Sequence, residues 1–325
     1  MNEKQKHWCS SILSRLGHSL QKYELLKAEA SHRTFYRLHT KTSSFIFMIS
    51  PPSLENNAQF VNLSQVFTQH GIPVPQVLEY AQETGHVLMT DVGSKHFKDI
   101  YNTEAEPLAI NRAIDTLIDI QNVTHDGIPQ YTAQRLEDEI SIFDEWVVRK
   151  LLNTPGIGTS DTKSRKILVE QTQEQEQVCV HRDYHCRNLL FSDNSLGIVD
   201  FQDALIGPAF YDLASLLFDC YHDFREEDVD HYLAFYLNAS SRHKNVKIKS
   251  AKRWLELTAI QRQIKAMGIF VRLFLKDNKK THLQYVPSVM KKSIQLMSRQ
   301  AEMKSLKELF VSIENPLIQK IRTFL

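Results

Sequence analysis

Apolar positions along the chain change rhythm several times. Residues 6–22 carry Trp8, Ile12, Leu13, Leu16 and Leu20 on one helical face, which predicts an N-terminal amphipathic helix. From 25 to 49 aromatic and β-branched residues dominate, and 34–38 and 45–49 read as strands around the polar turn 39–43. Pro51-Pro52 ends the second strand. Residues 55–69 read as a helix stopped by Gly71-Ile72-Pro73-Val74-Pro75, and 77–80 with 86–90 as a hairpin around Glu83-Thr84-Gly85. From Glu104 the pattern is mostly helical. Residues 109–121 place Ile110, Ala113, Ile114, Leu117 and Ile120 on one stripe, and 136–152 and 167–175 read as further helices. Between these two, 153–164 is rich in Gly, Ser, Thr and Pro and reads as a surface loop. Residues 254–276 form a helix that is apolar nearly all round, with Gln261, Arg262, Lys265 and Arg272 on one narrow polar stripe. Such a helix is buried. Its stripe then faces a substrate cleft, or snorkels to solvent.

The stretch 178–200, VCVHRDYHCRNLLFSDNSLGIVD, breaks the helical pattern. Residues 178–180 read as a short buried strand. His181, Asp183 and Asn188 follow on a polar loop in H-x-D-x-x-x-x-N spacing. Residues 189–191 and 196–199 read as a hairpin around the turn 192–195. A hairpin brings the start of its first strand beside the end of its second, so Asn188 and Asp200 are expected side by side, with Asp183 just before them. Three converging oxygen-bearing side chains suit phosphoryl transfer, which needs charge neutralised and an acceptor hydroxyl aimed. Magnesium takes oxygen ligands, and one or two protein groups plus nucleotide phosphates suffice. Asn188 and Asp200 are therefore the expected metal ligands, and Asp183 the base or hydroxyl-orienting group. The H-x-D-x-x-x-x-N string alone is weak; its setting of strand, loop, hairpin and closing Asp gives it weight.

Composition narrows the classes. The 325 residues suffice for two domains or one large bilobal one. Lys plus Arg (39) nearly equals Asp plus Glu (38), so overall charge makes no case for nucleic acid or a membrane surface. Cys9, Cys179, Cys186 and Cys220 lack metal spacing and read as free thiols of a reducing cytoplasm. The first residues lack the apolar core of a signal peptide, and no run approaches a membrane span. The basic run 242–253 reads as a solvated surface.

HRDYHCRNLLF followed by VDFQDALIGPAFYDLASLLFD resembles the kinase-like aminoglycoside phosphotransferase superfamily. The resemblance covers roughly 28–290, and in closer detail is to the N-acetylmuramate/N-acetylglucosamine kinases of bacterial cell-wall recycling, which phosphorylate the anomeric hydroxyl. It implies ATP and Mg²⁺ as cofactors. The segment 28–37 falls where a kinase has its phosphate-covering loop; it contains no glycine, so Ser31 and Arg33 would contact phosphate instead, or the segment is an ordinary hairpin. Met48 falls where the phosphate-binding lysine normally stands, a substitution similar to that of the amino-sugar kinases, and Arg33 or Arg37 would supply the charge. The resemblance puts a hinge at Asp91-Val92-Gly93 and adenine against the backbone from Met89 through Asp91 to Val92. His185 stands where protein kinases place a lysine near the transferred phosphate. His181 and Asp212 are structural, Asp212 bracing the catalytic loop. Asp203 binds metal or substrate, or acts from behind them. Glu139, Phe143 and Trp146 resemble an E-x-x-x-F-x-x-W pattern of the amino-sugar kinases; Trp146 stacks on a sugar face or belongs to the core. QRQIKAMGIFVRL resembles another of their segments, which would put Arg262, Lys265 and Arg272 near substrate.

These readings predict an α+β, protein-kinase-like bilobal fold. A small antiparallel-sheet lobe, 1–92, binds nucleotide, and a larger, mostly helical lobe, 93–325, carries catalysis and substrate. The absence of an A-P-E ending after Asp200-Phe201-Gln202 argues against a protein substrate. Another small-molecule kinase, acting on an aminoglycoside, choline or homoserine, would need an acidic or aromatic pocket. A catalytically dead kinase fold would have little reason to keep Asp183, Asn188 and Asp200 together.

Overall fold

In a computed structural model, residues 1–26, 32–154, 162–192 and 195–325 are described. Contacts divide the chain into two compact units, one of Met1–Ile100 with Arg187–Asp203, the other of Tyr101–Cys186 with Ala204–Leu325.

The first unit opens with α1 (Glu3–Arg15), capped by Asn2 and Gln5 in a reciprocal box. This helix ends seven residues before the expected 22. Gly17 takes φ +80°, and the His18 and Gly17 N–H groups return to the Leu13 and Ser14 carbonyls, so the last turn closes there and Leu16 is left exposed. A five-stranded sheet follows, built from β1 (Lys22–Leu26), β2 (Thr34–His39), β3 (Ser44–Ile49), β4 (Val77–Ala81) and β5 (His86–Thr90), with α2 (Asn57–Gln69) between β3 and β4. Its order is β1-β2-β3-β5-β4, antiparallel throughout. Alternation sends Phe45 and Phe47 to one face, where Leu38 and Leu88 join Cys9, Ile12 and Leu13 of α1 in a core. Two strands from the later segment complete the unit: β7 (Leu189–Ser192) and β8 (Ser195–Ile198), paired Leu189 to Ile198. This hairpin docks by its backbone, with Phe191 N–H donating to the Lys95 carbonyl and Ile198 N–H to the Pro73 carbonyl, both at 2.8 Å. Gly197 permits the contact, since a Cβ there would lie 2.4 Å from the Val92 oxygen. Phe201 then packs on Phe60 and Phe67 of α2.

The second unit is mainly helical: α3 (Glu106–Gln121), α4 (Ala133–Phe143), α5 (Thr162–Gln173), α6 (Tyr211–Leu217), α7 (Glu226–Ala239), α8 (Ile248–Asp277), α9 (Val286–Arg299) and α10 (Lys304–Arg322). The single helix expected over 136–152 is instead α4 continued by a π-helical stretch, Asp144–Leu151. Where the two meet, α8 comes so close that a Cβ on Gly268 would lie 2.7 Å from the Phe143 nitrogen. β6 (Gln177–Val180) pairs antiparallel with β9 (Leu205–Pro208), a strand the sequence reading passed over. The 30-residue α8 is longer than expected; Ile260, Ile264, Met267 and Val271 are fully buried. The basic run 242–253 is not simply solvated: Arg242 pairs with Glu176, Lys252 with Glu226 and Asp230, and Arg253 with Glu302.

Candidate active site

In the second unit, the polar loop after β6 is held by two carboxylates. Asp212, in the first turn of α6 and 1% exposed, accepts the backbone N–H groups of His181 at 2.6 Å and Arg182 at 2.9 Å. Burial holds Asp212 above the usual carboxylate range, although His181 and those N–H groups pull it down. Asp219 accepts the Cys186 N–H at 2.9 Å and the Tyr221 N–H at 2.9 Å. His181 is fully buried against the Tyr184 ring. Within the loop, His185 N–H donates to the Asp183 carbonyl at 3.0 Å, and the His185 ring meets Tyr221.

Asp183 is half-buried and its surroundings are basic. Burial alone would raise its pKa, but Lys265, His185, Arg262 and Arg182 together hold the carboxyl far below the ordinary range. Arg262 lays its guanidinium 4.4 Å over the Tyr211 ring and donates to the Arg182 carbonyl at 2.7 Å. Lys265, 8% exposed, lies 3.1 Å from Glu139 and 3.3 Å from the Tyr211 hydroxyl. Burial opposes its charge, yet Tyr211, Glu139 and Asp183 outweigh that and keep it protonated. Arg272, the third basic residue of the stripe, is seven residues, or about 10 Å, beyond Lys265 along the helix, where it acts on Glu145. Trp146 lies on the π-helical stretch, with the Lys150 ammonium 3.5 Å over its ring.

The first unit holds the other group. Asn188 Nδ2 and Asp200 Oδ2 are 3.5 Å apart across the hairpin base, and the Val199 N–H donates to the Asn188 carbonyl at 3.0 Å. Asp200 is exposed and takes φ +65°, the left-handed state that aspartate enters more readily than most side-chain-bearing residues. Gln202 donates to the other Asp200 oxygen at 2.7 Å and is itself held by Gln59. Asp203 is exposed at the end of the segment. Among the described residues no cluster of three or more His, Cys, Asp or Glu side chains could hold a metal alone. An exposed carboxylate beside a side-chain amide, which could turn its oxygen to an ion, suits Mg²⁺, which keeps waters and shares phosphates.

The remaining candidates of this unit spread out. Met48 and Met89 are buried in β3 and β5. Arg37 is engaged on the turn after β5, with Nε 2.7 Å from Asp91 and a second bond of 2.8 Å to the Gly93 carbonyl. Arg33, 7% exposed, lies 3.2 Å from Glu55 and donates to the Ser50 hydroxyl. Val92 is the residue on which Gly197 packs. Ser31 lies outside the described residues.

Sequence reading gave no role to Glu139 or Asp219, nor to Glu55. Glu139 was named only for its place in the E-x-x-x-F-x-x-W pattern; a further signal is that it lies on the apolar stripe of α4 with Leu136, Ile140 and Phe143, where a carboxylate needs buried partners.

Comparison with known proteins bears on the family and the fold. The phosphotransferase enzyme family (APH) matches residues 22–245. An N-acetylmuramate/N-acetylglucosamine kinase of Neisseria meningitidis serogroup B is 30% identical, over 95% of both chains. A kinase of the same name from Pseudomonas aeruginosa is 31% identical, over 89% of this chain and 88% of its own. Among solved structures, a choline/ethanolamine kinase family protein from Mesorhizobium loti superposes with a TM-score of 0.65 at 14% identity, covering 88% of this chain and 92% of the other. A bilobal-kinase type of fold, an H-x-D-x-x-x-x-N loop and a family match over more than two thirds of its length together place this chain in the phosphotransferase enzyme family.

Proposed function

We propose that the protein is an ATP- and Mg²⁺-dependent kinase that phosphorylates N-acetylmuramate or N-acetylglucosamine at the anomeric hydroxyl. The observation that carries the reading is Asp183: a half-buried carboxylate kept ionised by a basic surround, on a loop pinned at both ends. Such a group can accept a hydrogen bond from an acceptor hydroxyl and orient its attack. The kinase name shared by the relatives supports the choice of sugar.

The first unit supplies the nucleotide end. Adenine bonds the backbone near Met89 to Val92. Asn188 and Asp200 hold Mg²⁺, which when bound neutralises phosphate charge. Arg33, oriented by Glu55, is the cation that faces phosphate. Arg37 has Asp91 and Gly93 for partners and braces the hinge instead. In the second unit, Asp183 aims the sugar hydroxyl and His185 steadies transferred charge. Lys265 is committed to Glu139, so Arg262 is the better partner for the lactyl carboxylate that distinguishes N-acetylmuramate.

The functional division falls at the hinge, with 1–92 serving nucleotide and 93–325 serving catalysis and substrate, apart from 187–203, which belongs with the first unit and brings Asn188 and Asp200 to the nucleotide. Cell-wall recycling in the cytoplasm is the matching setting. Two buried free thiols, Cys9 and Cys179, are compatible with a reducing compartment. A cationic acceptor such as choline or an aminoglycoside is disfavoured, because Arg182, Arg262 and Lys265 surround Asp183.

The test is ADP release with Mg·ATP over a panel of amino sugars, aminoglycosides and amino alcohols, followed by phosphorus NMR of the product. Turnover restricted to N-acetylated amino sugars, with phosphate on the anomeric carbon, is expected. Turnover of a cationic acceptor alone, or phosphate on another hydroxyl, refutes the assignment.

A further inference from the structure

Arg182, the residue before Asp183, is in a left-handed conformation with φ +77°. A side-chain-bearing residue does not rest there unaided. It is gripped at three points. Its N–H donates to Asp212, its carbonyl accepts from Arg262 at 2.7 Å, and its guanidinium donates to Glu139 at 2.7 Å. The first two grips are to the backbone. The third reaches into the core of the unit: Arg182 is 8% exposed and Glu139 6%. Glu139 also accepts from Tyr131, from Lys265 and from Gln261, and Tyr131 shares a 3.0 Å bond with Tyr211.

A buried ion cluster of this kind is a poor source of stability, since well-packed apolar residues often do as well. Its location suggests another use. A strained turn held through its side chain fixes where the next residue points, and displacement of a catalytic group by about 1 Å can cost ~10²-fold in rate.

We propose that Glu139 is a positioning residue for Asp183, acting through Arg182. Its carboxylate anchors the guanidinium, the anchored side chain holds the left-handed turn, and the turn aims the catalytic carboxylate. This rests on the reading of Asp183 given above. It goes further by making a residue 44 positions away, on α4, part of the catalytic apparatus without contact to substrate.

The test uses the full-length chain with two variants and their combination. E139Q keeps the shape of the side chain and removes its charge. R182G removes the anchor but adopts φ +77° without strain. Each single variant is expected to lower kcat by ~10–10²-fold, while KM for ATP stays within about twofold. Because both act through one grip, the double variant should be no worse than the poorer single variant. Hydrogen–deuterium exchange of the 181–186 amides should rise at least about tenfold in both variants, with the helices of the unit unchanged. That measurement needs no turnover, so it remains decisive if the wild-type chain phosphorylates none of the panel, in which case the functional reading fails alone. Multiplicative losses in the double variant, full kcat in R182G, or unchanged loop exchange would each overturn the proposal. If E139Q does not fold, R182G by itself still decides it, through kcat and exchange.

Discussion

The two groups proposed for phosphoryl transfer are built in opposite ways. In the second unit, Asp183 sits in a dense ionic setting, its charge fixed by Lys265, His185, Arg262 and Arg182 and its loop pinned by Asp212 and Asp219. In the first unit, Asn188 and Asp200 are 3.5 Å apart, with Asp200 exposed and bonded to Gln202. The difference matches the roles proposed for them. A group that aims a hydroxyl works best when it is already oriented and costs nothing to reorganise. A magnesium site shared with a nucleotide must open and close at every turnover, and the ion brings its own waters.

That contrast can be broken most severely at Asp183. Asp183→Asn should reduce kcat by ~10²–10⁴-fold while nucleotide affinity, read by calorimetry, stays near wild type; a matching loss of nucleotide binding would merge the two groups into one. Next in size is Asp200→Ala. Even residues behind metal ligands are worth about 10–100-fold in affinity, so nucleotide binding should lose its dependence on Mg²⁺ in a titration, and a preserved dependence would remove Asp200 from the metal. A smaller effect is expected from Gly197→Ala, whose new methyl would press on the Val92 backbone at the docking contact of the hairpin. Overpacking of this kind costs about 1–3 kcal/mol, which should lower Tm and raise KM for ATP without altering KM for the sugar.

The mildest prediction concerns pH. The folded pKa of Asp183 is depressed, so this carboxylate is ionised wherever an ordinary one is. Its contribution to stability is complete above the unfolded value of about 3.9 and is lost only as pH falls through the lower folded value. The kcat profile of the wild type should therefore have no acid limb from this group above about pH 4. Lys265→Met removes the strongest of its supporting charges and should move that limb upward; an unmoved limb would mean that Lys265 serves Glu139 alone.

What could be read from the sequence was local. The hairpin strands 189–191 and 196–199 and the strands 34–38 and 45–49 announce themselves by apolar, aromatic and β-branched runs and by turn residues, and the neighbourhood of Asn188 and Asp200 follows from hairpin geometry. The candidate site was harder wherever a role depends on a distant partner. Arg37 looked available for phosphate until Asp91, 54 positions away, was found against it. Glu139 and Arg182 are 43 apart, and nothing in either neighbourhood names the other. Arg262 and Lys265 did fall near Asp183, because one buried helix carries both on a single stripe. Arg272 shares the stripe but not the place, since angular position on a helix says nothing of height along it. The early stop of α1 could have been foreseen from Gly17.

The hairpin of Arg187–Asp203 has a consequence for synthesis. The first unit is complete only when this segment has been made, because the Lys95 and Pro73 carbonyls receive their partners from Phe191 and Ile198. A ribosome adding about 5–20 residues per second needs roughly another 5–20 seconds after Ile100 before those strands exist. Throughout that interval the nascent sheet has its α1-side core but lacks the strands that cover Val92. Expression of residues 1–100 alone should reproduce this waiting state, and adding a separate 187–203 peptide should be felt first at the amide of Val92.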